Sequence, residues 1–498
     1  MKLKHIKIFL VFFAGTVMIT SCKKYFDINT NPDLIPATNI PMVQLLTSAE
    51  VNLGFEGGSD LFRYATEIMQ QMSGQASQPN QTYEYGRYNI QGSDLNNVWS
   101  SIFATTLSDL ELIIKQAAAS GSPNYSGVAK ILKAYEYSLV IDTWGSVPYS
   151  EAQQLVDNLQ PHYDSDSSIY TKLFTLLNEG ITEVNATTSN FSPGTNSVFY
   201  TNSSFSAVRT NWVKLANTLK LRLYLHYSKV NPSFAIAQMT ALINSGGPFM
   251  TANADNLQAP FYNLSGQRNP ISQFEVSRPN YLFADARILS IMNPKLDPRR
   301  PFYFTDFPWT SGTYVGPSAT NPPAVPNNNY SRIHTFLRGA VTAGASPPFT
   351  YSGAAPQRML SYAEYCFIRA EAGLMGVPNS DPQTWFTAGI TASMQEVGVT
   401  APNMATYLAA NGTLIGTNAQ KLQQIIEEKY IALFGVSVEP WTDWRRTGYP
   451  VLSVPTNHFG PVSAVPRSLF YPQSEIDLNP NCPGQKSNDL QKKVFWDN

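Results

Sequence analysis

Apolar residues recur at helical spacing along most of this chain, and that period restricts it to packed amphipathic helices more tightly than any other feature. Leu95, Val98, Trp99, Ile102, Phe103, Leu107, Leu110, Ile113 and Ile114 draw one continuous stripe, which predicts a single long helix. Val128, Ile131, Leu132, Tyr135 and Leu139 predict a second helix. Ile169, Tyr170, Leu173, Phe174, Leu177, Ile181 and Val184 predict a third, and Trp212, Leu215, Ala216, Leu219 and Leu223 a fourth. Ile368, Ala372 and Met375 mark a shorter one after Tyr362, and Leu422, Ile425, Ile426, Ile431 and Leu433 another. Alternating, strand-like runs are few and short. Successive helices of this length pack as antiparallel hairpins, so the expected fold is mainly α, with degenerate tetratricopeptide-like helical repeats and long irregular loops. The pairs are unevenly spaced and lack the full repeat consensus, which favours one globule over an open solenoid.

A 43% apolar content over 498 residues is enough for a large core. Charged residues make up only 14%, so the wetted surface relies on Asn, Ser, Thr and Gln. A net charge of −1 gives no electrostatic footprint for nucleic acid. Rings are plentiful at 12%, a composition suited to neutral, polar ligands.

Lys2, Lys4 and Lys7 followed by the apolar run from Ile8 to Ile19 form a signal peptide, too short to span a bilayer. Ile19, Thr20 and Ser21 precede Cys22 in the manner of a bacterial lipobox, so residues 1–21 are expected to be removed and Cys22 lipidated. The remainder, residues 22–498, reads as a single domain hung from its acyl chains. Removal of 1–21 takes three lysines and no acids, leaving 31 basic against 35 acidic residues. Cys366 lies in a helical apolar pattern and is expected to be a buried free thiol, although pairing with Cys482 stays open.

Several chemistries lack their motifs. Among the histidines left after the signal, His162, His226, His334 and His458, none stands in an HExxH or HxH arrangement, and no cysteine spacing suggests a metal. GxSxG, GxxxxGK[ST] and GxGxxG are absent, so there is no positive sign of an esterase, an NTPase or a dinucleotide enzyme. No EF-hand-like Asp/Asn series calls for calcium. Glu427 with Glu428, or Glu439 with Asp443, are carboxylate pairs that a glycosidase would use, but Glu427 and Glu428 share a helix with Lys429 and read more simply as a solvated or salt-bridged face.

Ordered motifs carry a resemblance. Leu139 to Ala152, with the core Asp142-Thr143-Trp144-Gly145-Ser146-Val147-Pro148-Tyr149, resembles a signature of the SusD/RagB family of nutrient-binding outer-membrane lipoproteins of Bacteroidetes. Tyr163-Asp164 with Ile169-Tyr170, the Trp212 to Arg222 helix, Asp297-Pro298-Arg299, and Ser361 to Glu364 with Ala370-Glu371-Ala372 follow in the family's order. So do Lys429, Glu439 to Gly448, and Arg467 to Glu475, while Tyr25 to Pro32 follow the lipidated cysteine. A structural account stands beside it: Asp142 is expected to accept backbone hydrogen bonds at a turn made by Gly145 and Pro148, and Asp443 to pair with Arg445 or Arg446.

The resemblance implies a receptor without catalytic residues, metal or cofactor. It would capture an oligosaccharide, or alternatively a peptide, and deliver it to a SusC-like TonB-dependent transporter at the cell surface. Lys23 and Lys24 directly after Cys22 depart from the acids that many exported lipoproteins of the group carry there, which leaves the outward orientation open. A surface-tethered hydrolase and a purely structural scaffold are the other readings. Family members bind on irregular loops outside the repeat helices, and two regions fit: residues 74–89, and a longer Pro- and Asn-rich insertion at about 308–357. The first offers Tyr83, Tyr85, Arg87, Tyr88 and Asn89, and the second Trp309, Tyr314, Tyr330 and Phe336. The tail after Pro450 is expected to wrap the body.

Overall fold

A computed structural model describes residues 40–74, 81–154, 157–318 and 329–498. The signal peptide, Cys22 and the Tyr25 to Pro32 motif lie outside the described residues.

The chain opens with α1 (Met42–Gly58) and α2 (Asp60–Ile68), and a short α3 (Gln81–Gly86) follows. The predicted first long helix is instead a composite rod: a 3-10 turn at Gly92–Leu95, an α segment at Asn96–Ser100, a π turn at Ser101–Thr106 and then α4 (Leu107–Ser120). The apolar stripe survives because its residues still face one side, while the wider turn rotates Ser101 and Thr106 inward onto Glu56 of α1, at 2.6 and 2.9 Å. Next come α5 (Pro123–Trp144), α6 (Asp166–Val184), α7 (Phe205–His226) and α8 (Pro232–Asn244), each packed on the one before. Their ends obey local chemistry. Gly121, at φ +64°, closes α4 and Pro123 starts α5; Asn231 caps α8 through the Phe234 amide at 3.1 Å. After a long irregular excursion, α9 (Tyr362–Leu374) packs on α10 (Pro382–Val397), and α11 (Asn418–Ala432) lies on α9. Next, α12 (Glu439–Thr447) precedes a tail that wraps the body with only a short helix at Gln473–Leu478 and a 3-10 turn at Phe495–Asp497, burying Leu469, Leu490, Val494 and Trp496. Contacts join Met42–Asn498 into one unit.

Helices α5 and α6 touch at Gly127 and Gly180. A β-carbon on Gly127 would come within 2.7 Å of the Val184 nitrogen and 2.8 Å of the Gly180 oxygen. Gly127→Val is therefore expected to cost about 1–3 kcal/mol, visible as a lower urea midpoint at unchanged slope.

The family-like motifs converge on one buried ladder of charges. Arg222 of α7 holds Glu364 of α9 through two bonds of 2.6 Å. Lys429 lies 3.0 Å from Glu439 and 2.8 Å from Asp443. Arg446 continues the ladder to Asp443 at 2.8 Å and to Glu371 at 2.5 Å. A second knot joins Arg299 to Asp297 and Glu428, at 2.6 and 2.7 Å, with Lys295 on the same glutamate. Glu428 and Lys429 are each 1% exposed, so this face is salt-bridged but not solvated: the cations on Glu428, which are Lys295 and Arg299, arrive from the turn around Asp297. Asp142 also corrects its expectation. Because α5 continues to Trp144, the Asp142 carboxylate caps no turn; it accepts from the Tyr170 hydroxyl at 2.8 Å and the Trp496 indole at 2.9 Å, fastening the tail. The Asp443–Arg446 pair is as expected, whereas Arg445 donates to the carbonyls of Asp142 and Arg467. Cys366 is a buried free thiol, and Cys482 is also free.

Candidate ligand-binding cleft

A two-residue strand, Phe283–Ala284, organises the irregular region. Met72–Ser73 pairs with it antiparallel, and Phe283 also bridges Arg332. The insertion reaches the same place again, since the Ala286 amide donates to the Pro317 carbonyl at 2.9 Å. Elements from three parts of the chain thus meet at one strand.

Residues 81–86, expected to be loop, form α3, and the helical period sorts its side chains. Tyr83 and Arg87, four apart, share one side. Tyr85 falls on the other, where its ring meets Tyr64 of α2 edge-on at 4.9 Å, and it is 2% exposed. Tyr88, at φ +66°, turns the chain and is 1% exposed. Tyr85 and Tyr88 are therefore core residues and offer no ring face to a ligand, a correction to the sequence reading. Asn89 is half-buried and binds Glu84 and Gln91, bracing its own loop.

The tail supplies the facing wall. Asn457 donates to the Tyr83 hydroxyl at 2.8 Å, and its carbonyl accepts from Arg87 Nε at 2.9 Å. Between these walls lies a narrow polar cleft whose room for water-sized guests is about 30 Å³, enough for one or two waters. Glu67 of α2, Gln70, Ser73 and Asp285 line it with Tyr83 and Arg87. Asp285 caps the helix Ala286–Met292 through the Arg287 amide at 2.6 Å and accepts from the Ser73 hydroxyl. Burial pushes its carboxyl up to about 7. Glu67 is raised well above the usual range, first by burial and then by the charge of Asp285. Past Asp285 the cleft continues along Arg287, Ser290 and Ser453.

The second predicted patch divides. Trp309, 38% exposed, stands edge-on to Phe349 at 5.0 Å and presents a free ring face. Tyr314 lies under the Arg300 guanidinium at 5.0 Å, and Tyr330 meets Phe283 at 5.7 Å, so both are half-buried staples of their loops. Phe336 is 7% exposed, between Arg358 and Tyr303, and belongs to the core. Trp309 does not line the cleft of Tyr83. A far larger cleft of about 900 Å³ lies under the tail beside Tyr163, Tyr471 and Phe495; its Lys486 is spent on the carbonyls of Trp144 and Leu469, both at 2.6 Å.

Glu67, Gln70, Asp285 and Asn457 were missed from sequence. Asp285 directly before Ile288, Leu289 and Ile291 carries a readable helix-start signal. Nothing local marks Asn457, which meets Tyr83 across 374 positions.

Residues 33–472 match the family model for SusD-like proteins, described as starch-binding and associating with the outer membrane. Among solved structures, a chitin-binding protein is 25% identical with a TM-score of 0.76, over 92% of this chain and 100% of that one. A chitin-binding SusD homolog from Flavobacterium johnsoniae is 22% identical, with a TM-score of 0.74 over 92% of this chain and 97% of that one. A SusD homolog from Bacteroides uniformis is 23% identical, with a TM-score of 0.70 over 91% and 99%. No curated protein matches the chain.

Proposed function

The chain belongs to the SusD-like family of starch-binding proteins associated with the outer membrane, and from that premise we propose that it captures an oligosaccharide at the mouth of the cleft, against the half-exposed Tyr83 and Arg87, and passes it to a SusC-like TonB-dependent channel. The family is one of binding proteins, not enzymes. The carboxylates that a hydrolase would need, Glu428, Glu439 and Asp443, are each held by an interior cation.

One observation carries the reading. A ring and a guanidinium sit side by side on one helix face, braced by Asn457, above buried acids and amides. Sugars present apolar C–H faces and many hydroxyls, which suit a ring to stack on and fixed polar groups to bond. The chitin-binding relative favours a glycan over a peptide. Among the described residues no helix is long and apolar enough to cross a membrane. Attachment through a lipidated Cys22, after loss of residues 1–21, is part of the proposal and is supported by Ile19, Thr20 and Ser21 before that cysteine. Trp309 is proposed as an outlying stacking surface for a longer chain.

Titration calorimetry with starch and chitin oligomers tests this. Arg87→Ala is expected to weaken the bound oligomer about tenfold or more, and Tyr83→Ala about three- to tenfold. Because the contacts are stacking and hydrogen bonds to an uncharged ligand, affinity should hold between low and high salt. Unchanged affinity in both variants sinks the assignment. Mild detergent extraction should recover the channel with the protein; recovery always alone speaks against the partnership.

A further inference from the structure

We infer that the cleft beneath the tail is a second binding site, for an acidic saccharide whose carboxylates are answered by Lys492 and Lys493 and whose ring faces rest on Tyr163 and Phe495. It needs nothing from the mouth at Tyr83 and Arg87, where capture of a neutral glycan is proposed.

At about 900 Å³ the cleft has the volume of an ordinary small-ligand pocket, and Tyr163, Phe495, Lys492 and Lys493 all line it. Both rings are fixed from behind before any ligand arrives. Tyr163 stands edge-on to Tyr471 at 5.3 Å and donates its hydroxyl to Glu475 at 2.8 Å. Phe495 packs edge-on against Tyr170 and Tyr227, at 5.0 and 5.2 Å. Each ring is half-buried, so stacking a sugar on it costs little ordering.

Charge decides the class of sugar. Two acids line the cleft, and both are turned onto backbone amides: Asp166 accepts from Ser167 and Phe495 at 2.8 and 2.7 Å, and Asp489 from Gln491 at 3.1 Å. Lys492 and Lys493 are exposed and form no ion pair among the described residues. The neighbouring Lys486 shows where the balance lies. After burial, the charges of Arg445 and Lys492 outweigh that of Asp166 and hold its ammonium well below the ordinary lysine range. Surroundings that disfavour a further cation favour an anion. A peptide bearing the carboxylates fits less well, because the tail has no strand among the described residues to offer it an edge. A neutral chain such as starch or chitin leaves both ammoniums unanswered.

The full chain, purified in mild detergent, would be titrated calorimetrically with a galacturonic acid trimer, its fully methyl-esterified form and a triglutamate peptide. The acid trimer should bind, and lose about five- to tenfold in affinity between about 0.05 and about 0.5 M salt. Esterification removes the charge and keeps the rings, so it should cost about tenfold at low salt. Lys492→Gln combined with Lys493→Gln should cost about as much, flatten the salt dependence and leave neutral-oligomer binding unchanged; both side chains are exposed, so folding is spared. Salt-independent binding, equal affinity for acid and ester, a double variant that binds the trimer like wild type, or triglutamate bound as tightly as the trimer overturns the inference. So does the absence of trimer binding at every salt concentration. Loss of the neutral oligomer in the double variant also overturns it, since one site would then serve both ligands.

Discussion

Lys429→Met is expected to remove about 3–5 kcal/mol of folding stability, the largest single-residue effect outside the apolar core. The ammonium is 1% exposed and lies between Glu439 and Asp443. Both carboxylates also touch arginines, but neither has water to fall back on. With the lysine gone, two adjacent negative charges remain in a medium that solvates them poorly, so the cost is that of stranded charge more than of a lost bond. Arg222, 3.6 Å from Glu439, and Arg446, 2.8 Å from Asp443, remain as partial counter-charges. Thermal and urea unfolding would show the loss, and the neighbouring Glu427→Gln, on the half-buried side of α11, should change stability by less than about 0.5 kcal/mol. Equal effects at 427 and 429 would mean that the ladder does not hold the helices together.

Glu136→Met works in the opposite direction. Glu136 of α5 is fully buried with its carboxyl against that of Glu56 and no other partner among the described residues, while Ser101 and Thr106 of the π turn serve only Glu56. Burial lifts Glu56 to about 7, and burial together with the charge of Glu56 lifts Glu136 well above the ordinary range. The folded protein therefore holds protons that the unfolded chain releases above its ordinary glutamate pKa of about 4.3. Stability must fall as pH rises from there through 7 and beyond. Replacing Glu136 by an apolar side chain of similar length removes that penalty. A gain of about 1–3 kcal/mol at pH 8 is expected, shrinking towards pH 5, where the wild-type pair is neutral. Urea midpoints at the two pH values measure it; a wild-type midpoint that rises with pH contradicts the pair.

The helices were legible because their stripes are long: the residues from Val128 to Leu139 and from Ile169 to Val184 state their period without help from the rest of the chain. The π turn was not, since Ser101 to Thr106 keeps the stripe while changing the hydrogen-bond ring. The buried ladder was invisible for a different reason. Glu428 and Lys429 are adjacent polar residues on a helix, and sequence alone gives them water; only helices brought in from distant parts of the chain make them interior. The cleft was half legible. Tyr83 and Arg87 stood out as a ring and a cation in a polar stretch, but Tyr85 and Tyr88 looked equivalent until α3 assigned them opposite sides. Glu67 gave no signal, because a lone glutamate in a helix reads as surface.

A crystal structure with a bound glycan hexamer tests the central claim most directly. The account predicts a sugar ring against Tyr83 with a polar group within hydrogen-bond distance of Arg87. A sugar seated in the lysine-lined cleft of Lys486 and Lys492, with the Tyr83 cleft empty, would contradict it.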